Sequence, residues 1–259
     1  REKVEVLSVL CTTQWRAMDD VDLDFLTWAL SELQRDRQLG KQQEELRRLR
    51  MLPLTDRSLS RGEDGPLYEA SDSLCEQLAA LRQVSGALSS LKIIHPSLVH
   101  ALRKRHATSI LARLKVVAID ESSVVRNHVV PALVDESTPA GELPHLLAFA
   151  RAQATLSSNL GKGSLERCLI DAGARLCATS GEVMTLSSIS SLQLQLPQPL
   201  WPRTDDGRAA RFDFVPDPPP PEWKVVAIPS AALKADVQGW RNFLLGLGVG
   251  WFPAVQPSV

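Results

Sequence analysis

The pentapeptide Lys-Val-Val-Ala-Ile occurs twice in this chain, at Lys115 and again at Lys224, and a third, looser version, LKIIHPSLVHAL, begins at Leu91. Each is a β-branched run, then Pro, Asp or Ser, then residues suited to opening a helix. Val and Ile favour a short strand, and Ser97, Ser122 and Ser230 stand where a side-chain oxygen can cap the helix that follows. The pattern predicts a strand–turn–helix unit used three times. The intervals between copies are unequal, which excludes a solenoid of fixed period.

Between these units the apolar spacing is helical. Leu23, Leu26, Leu30 and Leu33 predict a helix over residues 21–39, with Asp19 or Asp20 as N-cap and with Phe25 and Trp28 thickening its apolar face. The charged run 41–50 reads as a solvated helix face, and 49–56 as a short strand breaking into a polar turn at Asp56. Leu74, Leu78, Leu81 and Leu88 predict a helix over 71–91. After the middle copy, Val125, Val129, Ala132 and Leu133 share a face, and Pro131 should kink or end that helix near Val130. Further helices are expected over 143–160, with Leu146, Leu147, Ala150 and Ala154 inward, and over 165–172, closed by Gly173. Two short strands should flank Ser180-Gly181. A last helix, 238–247, carries Trp240, Phe243, Leu244 and Leu247 at i, i+3, i+4 and i+7, with Gly248 as its C-cap. The fold class is α+β, mostly helical with short strands.

The division expected from composition is a helix-rich region 1–196, a proline-rich acidic linker 197–221 and a strand–helix unit 222–259 packing back on the first region. The chain has 259 residues, 44% of them apolar and 23% charged, which is ordinary globular composition. Its 29 Lys and Arg against 30 Asp and Glu argue against a whole-domain pull toward nucleic acid or an anionic membrane. No apolar run approaches the roughly 20 residues that span a bilayer. The start at Arg1 without a signal-peptide pattern reads as a fragment of a longer, intracellular protein. Cys11, Cys75, Cys168 and Cys177 form no Cys-x-x-Cys pair and read as reduced, buried thiols.

No pattern of catalytic residues stands out. His95, His100, His106, His128 and His145 include no i, i+4 pair and no cysteine at ligand spacing, so neither metal nor cofactor is expected. The stretch 161–164, Gly-Lys-Gly-Ser, lacks the earlier glycine and the preceding strand of a phosphate loop. No strained Gly-x-Ser-x-Gly turn is present. The tight basic cluster Arg103, Lys104 and Arg105, followed by His106, falls at a predicted helix end, where positive charge suits the dipole. Its alternative use is phosphate contact. The Trp240 stripe is read first as an anchor to a core, and alternatively as a partner-binding face. The prolines of 216–221 read as a plain spacer, and alternatively as a motif docking an SH3- or WW-type groove.

Several of these pieces, in this order, resemble the central region of plant NO VEIN-type proteins, relatives of sacsin. The stretch around Pro53 and Asp56 is similar to that family's strand and turn, and the one around Pro96 to its Pro-containing segment. His128, Pro131 and Ala132 match the family's helix ending in a Pro-Ala pair. Trp240, Phe243 and Gly248 match its Trp-Arg and Leu-Gly-Val motifs. Arg57 stands where the family has Gly, and Gly250-Trp251 where it has Thr-Asp. The family's ATPase-like domain is of the GHKL type, and its signatures are absent from these 259 residues. The resemblance therefore implies a non-catalytic scaffold or regulatory segment beside such a domain. Its partners would be other domains of the same protein or other proteins, its setting plant or algal development, and its location the nucleus or else the cytoplasm. The alternative is a nucleic-acid-binding accessory region using Arg103, Lys104, Arg105 and Arg113.

Overall fold

In the computed structural model, which describes residues 2–35, 42–156, 164–186, 194–195 and 224–249, the chain divides into two units. One is Arg1–Ala80 with Ser89–Asp120, the other Leu81–Leu88 with Glu121–Val259. The α+β, mostly helical class expected from the sequence is what the structure has. The expected linker 197–221 lies outside the described residues.

In the first unit, α1 (Glu2–Thr13) buries Val4, Leu7 and Cys11, which recur at helical spacing. Next, α2 (Leu23–Arg35) buries Leu26, Ala29, Leu30 and Leu33. The carboxylate that accepts an amide at its start is Asp22, from Phe25 at 2.9 Å, in place of the expected Asp19 or Asp20. Asp20 instead accepts the amides of Arg16 and Ala17, and Asp19 pairs with Arg57. Trp28 does not thicken the buried face: it lies two positions beyond Leu26, is 41% exposed, and sits 5.7 Å from the Phe25 ring. The charged run forms α3 (Gln43–Arg48), of which Leu46 alone is buried.

A hairpin follows, β1 (Leu52–Pro53) with β2 (Leu59–Ser60), then β3 (Leu67–Glu69) and α4 (Asp72–Arg82). The latter stops well short of residue 91, because Ser85 and Gly86 are poor helix residues. Leu88 is buried beyond the helix end. The chain re-enters the first unit at β4 (Lys92–Ile93), α5 (Pro96–Lys104), α6 (Ser109–Arg113) and β5 (Val116–Ala118). Both β4 and β5 lie parallel to the central β3, and Leu54 bridges Ile94 antiparallel, which joins the hairpin to β4. Around this sheet the core gathers Leu7, Trp15, Leu30, Met51, Leu67, Leu98, Ile110 and Leu114.

The second unit contains α7 (Glu121–Val124) and α8 (Val130–Val134), joined by a π turn, Val125–Val129. Pro131 thus neither ends the helix nor breaks it. Having no N–H, it cannot bond the carbonyl four residues back, and the backbone widens so that the Val130 amide reaches Val125 O. Val125, Val129, Ala132 and Leu133 still share the buried side. Then come α9 (Leu143–Leu156) and α10 (Ser164–Ala172), the latter closed by Gly173 with its amide on Ile170 O and that of Ala174 on Leu169 O. The expected strands form a hairpin, β6 (Arg175–Cys177) with β7 (Val183–Thr185). Finally β8 (Leu194–Gln195) runs parallel to β9 (Lys224–Val225), before α11 (Ser230–Ala235) and α12 (Val237–Gly246).

All three segments begun by the repeated motif are strand–turn–helix, but the serines are not their caps. The side chain that caps α5 is His95, whose Nδ1 accepts the Ser97 amide at 3.2 Å, with Pro96 at the first helical position. The residue before a proline is held extended, which moves the helix boundary back to His95. Ser122 lies inside α7, and Ser230 opens α11 after Pro229 with no side-chain cap.

Candidate functional site

The basic cluster sits where α5 ends. Arg103, Lys104 and Arg105 are exposed, as is His106 in a left-handed conformation (φ 53°). Acidic groups of the same unit meet this helix. Arg103 lies 3.6 Å from Glu69, and His100 Nε2 lies 3.0 Å from an Asp72 oxygen. The Arg113 side chain is exposed, while its carbonyl accepts bonds from Gln43 Nε2 and Arg47 Nε, each at 2.8 Å. The cluster is therefore a short exposed run partly answered by carboxylates, without an aromatic platform in its own sequence for stacking bases.

The Trp240 stripe is buried. Trp240 is 1% exposed, and Phe243, Leu244 and Leu247 lie beneath the surface with it. The Trp240 indole N–H donates to Ala232 O at 3.0 Å, which ties α12 to α11. The Arg151 guanidinium, on α9, lies 4.6 Å from the centroid of the Trp240 ring and pairs with Asp236. Asp236 in turn caps α12 by accepting the Gly239 amide at 2.9 Å. Arg241 is half-buried, while Asn242 is exposed. Gly248 has φ 86°, and its amide and that of Val249 close the helix on Leu245 O and Leu244 O.

Sequence reading missed the burial of Arg151. The signal was available: Arg151 falls four residues after Leu147, on the face that also holds Ala150 and Ala154. The acid that receives it stands four residues before Trp240.

The remaining motif residues are also structural in position. Pro53 is buried in β1, and its carbonyl accepts the His95 amide at 2.8 Å. Asp56 accepts both the amide and the hydroxyl of Ser58, at 2.9 and 2.7 Å, shaping the turn. His128 lies in the π turn, where burial lowers its pKa. His95 is likewise lowered, by burial first and then by the Arg57 charge.

Among the described residues no group of three or more His, Cys, Asp or Glu lies close enough to hold a metal ion. The four cysteines are free thiols, buried except for the half-buried Cys168, and burial pushes Cys11 up to about 11. No described helix is long and apolar enough to cross a membrane. The segments 161–163 and 216–221 lie outside the described residues.

The fold and the placement of these side chains thus define a mostly helical α+β chain whose motif residues frame turns, caps and core. No family model, curated protein or solved structure matches it.

Proposed function

We propose that this chain is a non-catalytic structural and interaction segment of a large NO VEIN-like protein, acting as scaffold or regulatory region beside an ATPase-like domain of the same polypeptide. The observation that carries the reading is the backbone at Arg57. The resembled family has Gly after the turn Asp, and here that position has φ 67°, the left-handed region that favours Gly. The departure in residue type therefore sits on a backbone suited to the family's residue. The positions supporting a structural role are Trp240, Pro53 and Gly248, each used to build the fold.

The coding sequence upstream of this segment tests the parentage. A GHKL signature there, an Asn with a following Asp on one helix and then Asp-x-Gly-x-Gly, is the expected result; an unrelated upstream domain sinks the reading. A fluorescent fusion of the whole parent protein tests the nuclear placement, which fails if the fusion is excluded from nuclei.

A further inference from the structure

The two units repeat one another's backbone bonding. In the first, the hairpin pairs Leu52 with Ser60 and Pro53 with Leu59; in the second, Leu176 with Met184 and Cys177 with Val183, at a constant interval along the chain. Within the turns, Leu54 N donates to Ser58 O and Arg57 N to Leu54 O, and likewise Ala178 N to Glu182 O and Gly181 N to Ala178 O. The residues with positive φ are at equivalent places, Arg57 at 67° and Gly181 at 87°.

The next strand crosses the hairpin in the same way in both. Leu54 bridges Ile94 and Ala178 bridges Val226, both antiparallel. Thr55 N reaches Ile93 O at 2.9 Å and Thr179 N reaches Val225 O at 2.7 Å, while His95 N and Ala227 N bond Pro53 O and Cys177 O, each at 2.8 Å. On its other side that strand has a parallel neighbour in matching register, Leu67 with Lys92 and Leu194 with Lys224. Two helices follow in each. They end alike: Leu114, then Lys115 at φ 63°, then buried Val116; Leu247, then Gly248 at φ 86°, then buried Val249. A helix ahead of each hairpin sends one long polar side chain to the junction of those two helices. Gln34 bonds His106 O and the Ile110 amide, and Arg151 pairs with Asp236.

From the hairpin to the parallel neighbour, strand order, direction, register and turn geometry coincide, and short hairpins alone do not require this combination; β5, the third strand of the first unit's sheet, has no counterpart among the described residues. We infer that the chain is a tandem duplication of one module, its first copy centred on 52–116 and its second on 176–249. The shared residues Leu52/Leu176, Thr55/Thr179, Lys92/Lys224, Leu114/Leu247 and Val116/Val249 are what remains of it in sequence. The chain is then built by repeating one small α+β module. The inference stands on geometry alone and does not need the family resemblance.

Two full-length chimaeras test it. In one, residues 52–60 are replaced by the sequence of 176–184; in the other, by that of 177–185, one step out of register, which puts Thr179 at the buried place of Leu54 and Glu182 at the left-handed place of Arg57. The in-register chimaera is expected to unfold cooperatively, with less than half the Tm loss of the shifted one. Equal losses overturn the duplication. If neither chimaera unfolds cooperatively, amide exchange in the unaltered chain decides. Protection at both members of each pair Leu54/Ala178, Thr55/Thr179 and His95/Ala227 upholds it, and a copy unprotected at the bridge overturns it.

Discussion

The Arg151 guanidinium lies 4.6 Å from the centre of the Trp240 ring, so a charged side chain that is itself nearly buried covers a fully buried tryptophan of the second unit's core. Such a contact with a desolvated cation is worth about 2 kcal/mol, and the pairing of Arg151 with Asp236 keeps its charge from being left alone.

Trp240→Ala is accordingly expected to lower stability by roughly 3–5 kcal/mol, through lost burial and a cavity under α12. Arg241→Ala, at a half-buried position, should cost less, on the order of 1 kcal/mol. Denaturant melts of both variants check this, and an unchanged midpoint for Trp240→Ala would return the stripe to the partner-binding reading.

Gly239→Ala tests the same corner from the opposite side. A methyl group at Gly239 would run into the Asp236 carboxylate and the Arg151 guanidinium, so the pair must move or the cap must open. The expected loss is about 1–3 kcal/mol by overpacking, despite the gain in helix propensity that Ala brings elsewhere. In the Asp236→Ala background the same substitution should cost much less, which a double-mutant cycle measures.

The cap of α5 gives a pH dependence. His95 Nδ1 accepts the Ser97 amide only when unprotonated, and the folded pKa of His95 is lowered by burial and then by Arg57. The unfolded chain therefore binds the proton more readily. The stabilisation is present above the ordinary value of 6.5 and is lost as pH falls below it through the folded value. His128 adds in the same direction. His95→Asn, which keeps an acceptor without titrating, should flatten this slope, and Arg57→Gly should move it to higher pH. Urea midpoints measured between about pH 7.5 and 5 decide, the slope being the proton uptake on unfolding.

For the basic cluster the expected outcome is weak, unsaturable binding of generic single-stranded RNA at physiological salt. A saturable complex that weakens steeply with salt and disappears in R103A/K104A/R105A would assign Arg103, Lys104 and Arg105 to phosphate contact.

Local chemistry carried much of this fold. The stripe of Trp240, Phe243, Leu244 and Leu247, the caps at Gly173 and Gly248, and the hairpin at Ser180-Gly181 were legible because neighbours three or four residues apart, or one turn, decide them. What tertiary structure decided is clearest in the two Lys-Val-Val-Ala-Ile copies. Lys224 lies in β9, between a hairpin and a parallel neighbour, whereas Lys115 takes a left-handed turn and leads into an edge strand beside β3. The true counterpart of Lys224 is Lys92, in a segment that shares fewer residues with it. Identical pentapeptides have identical propensities, so only the partners that bond each strand could tell the two places apart. The same holds for Arg151 and Trp28, whose burial and exposure reverse what their side chains prefer alone: an acid from a distant helix cap keeps the arginine inside, and the face of α2 that meets the core leaves the tryptophan out.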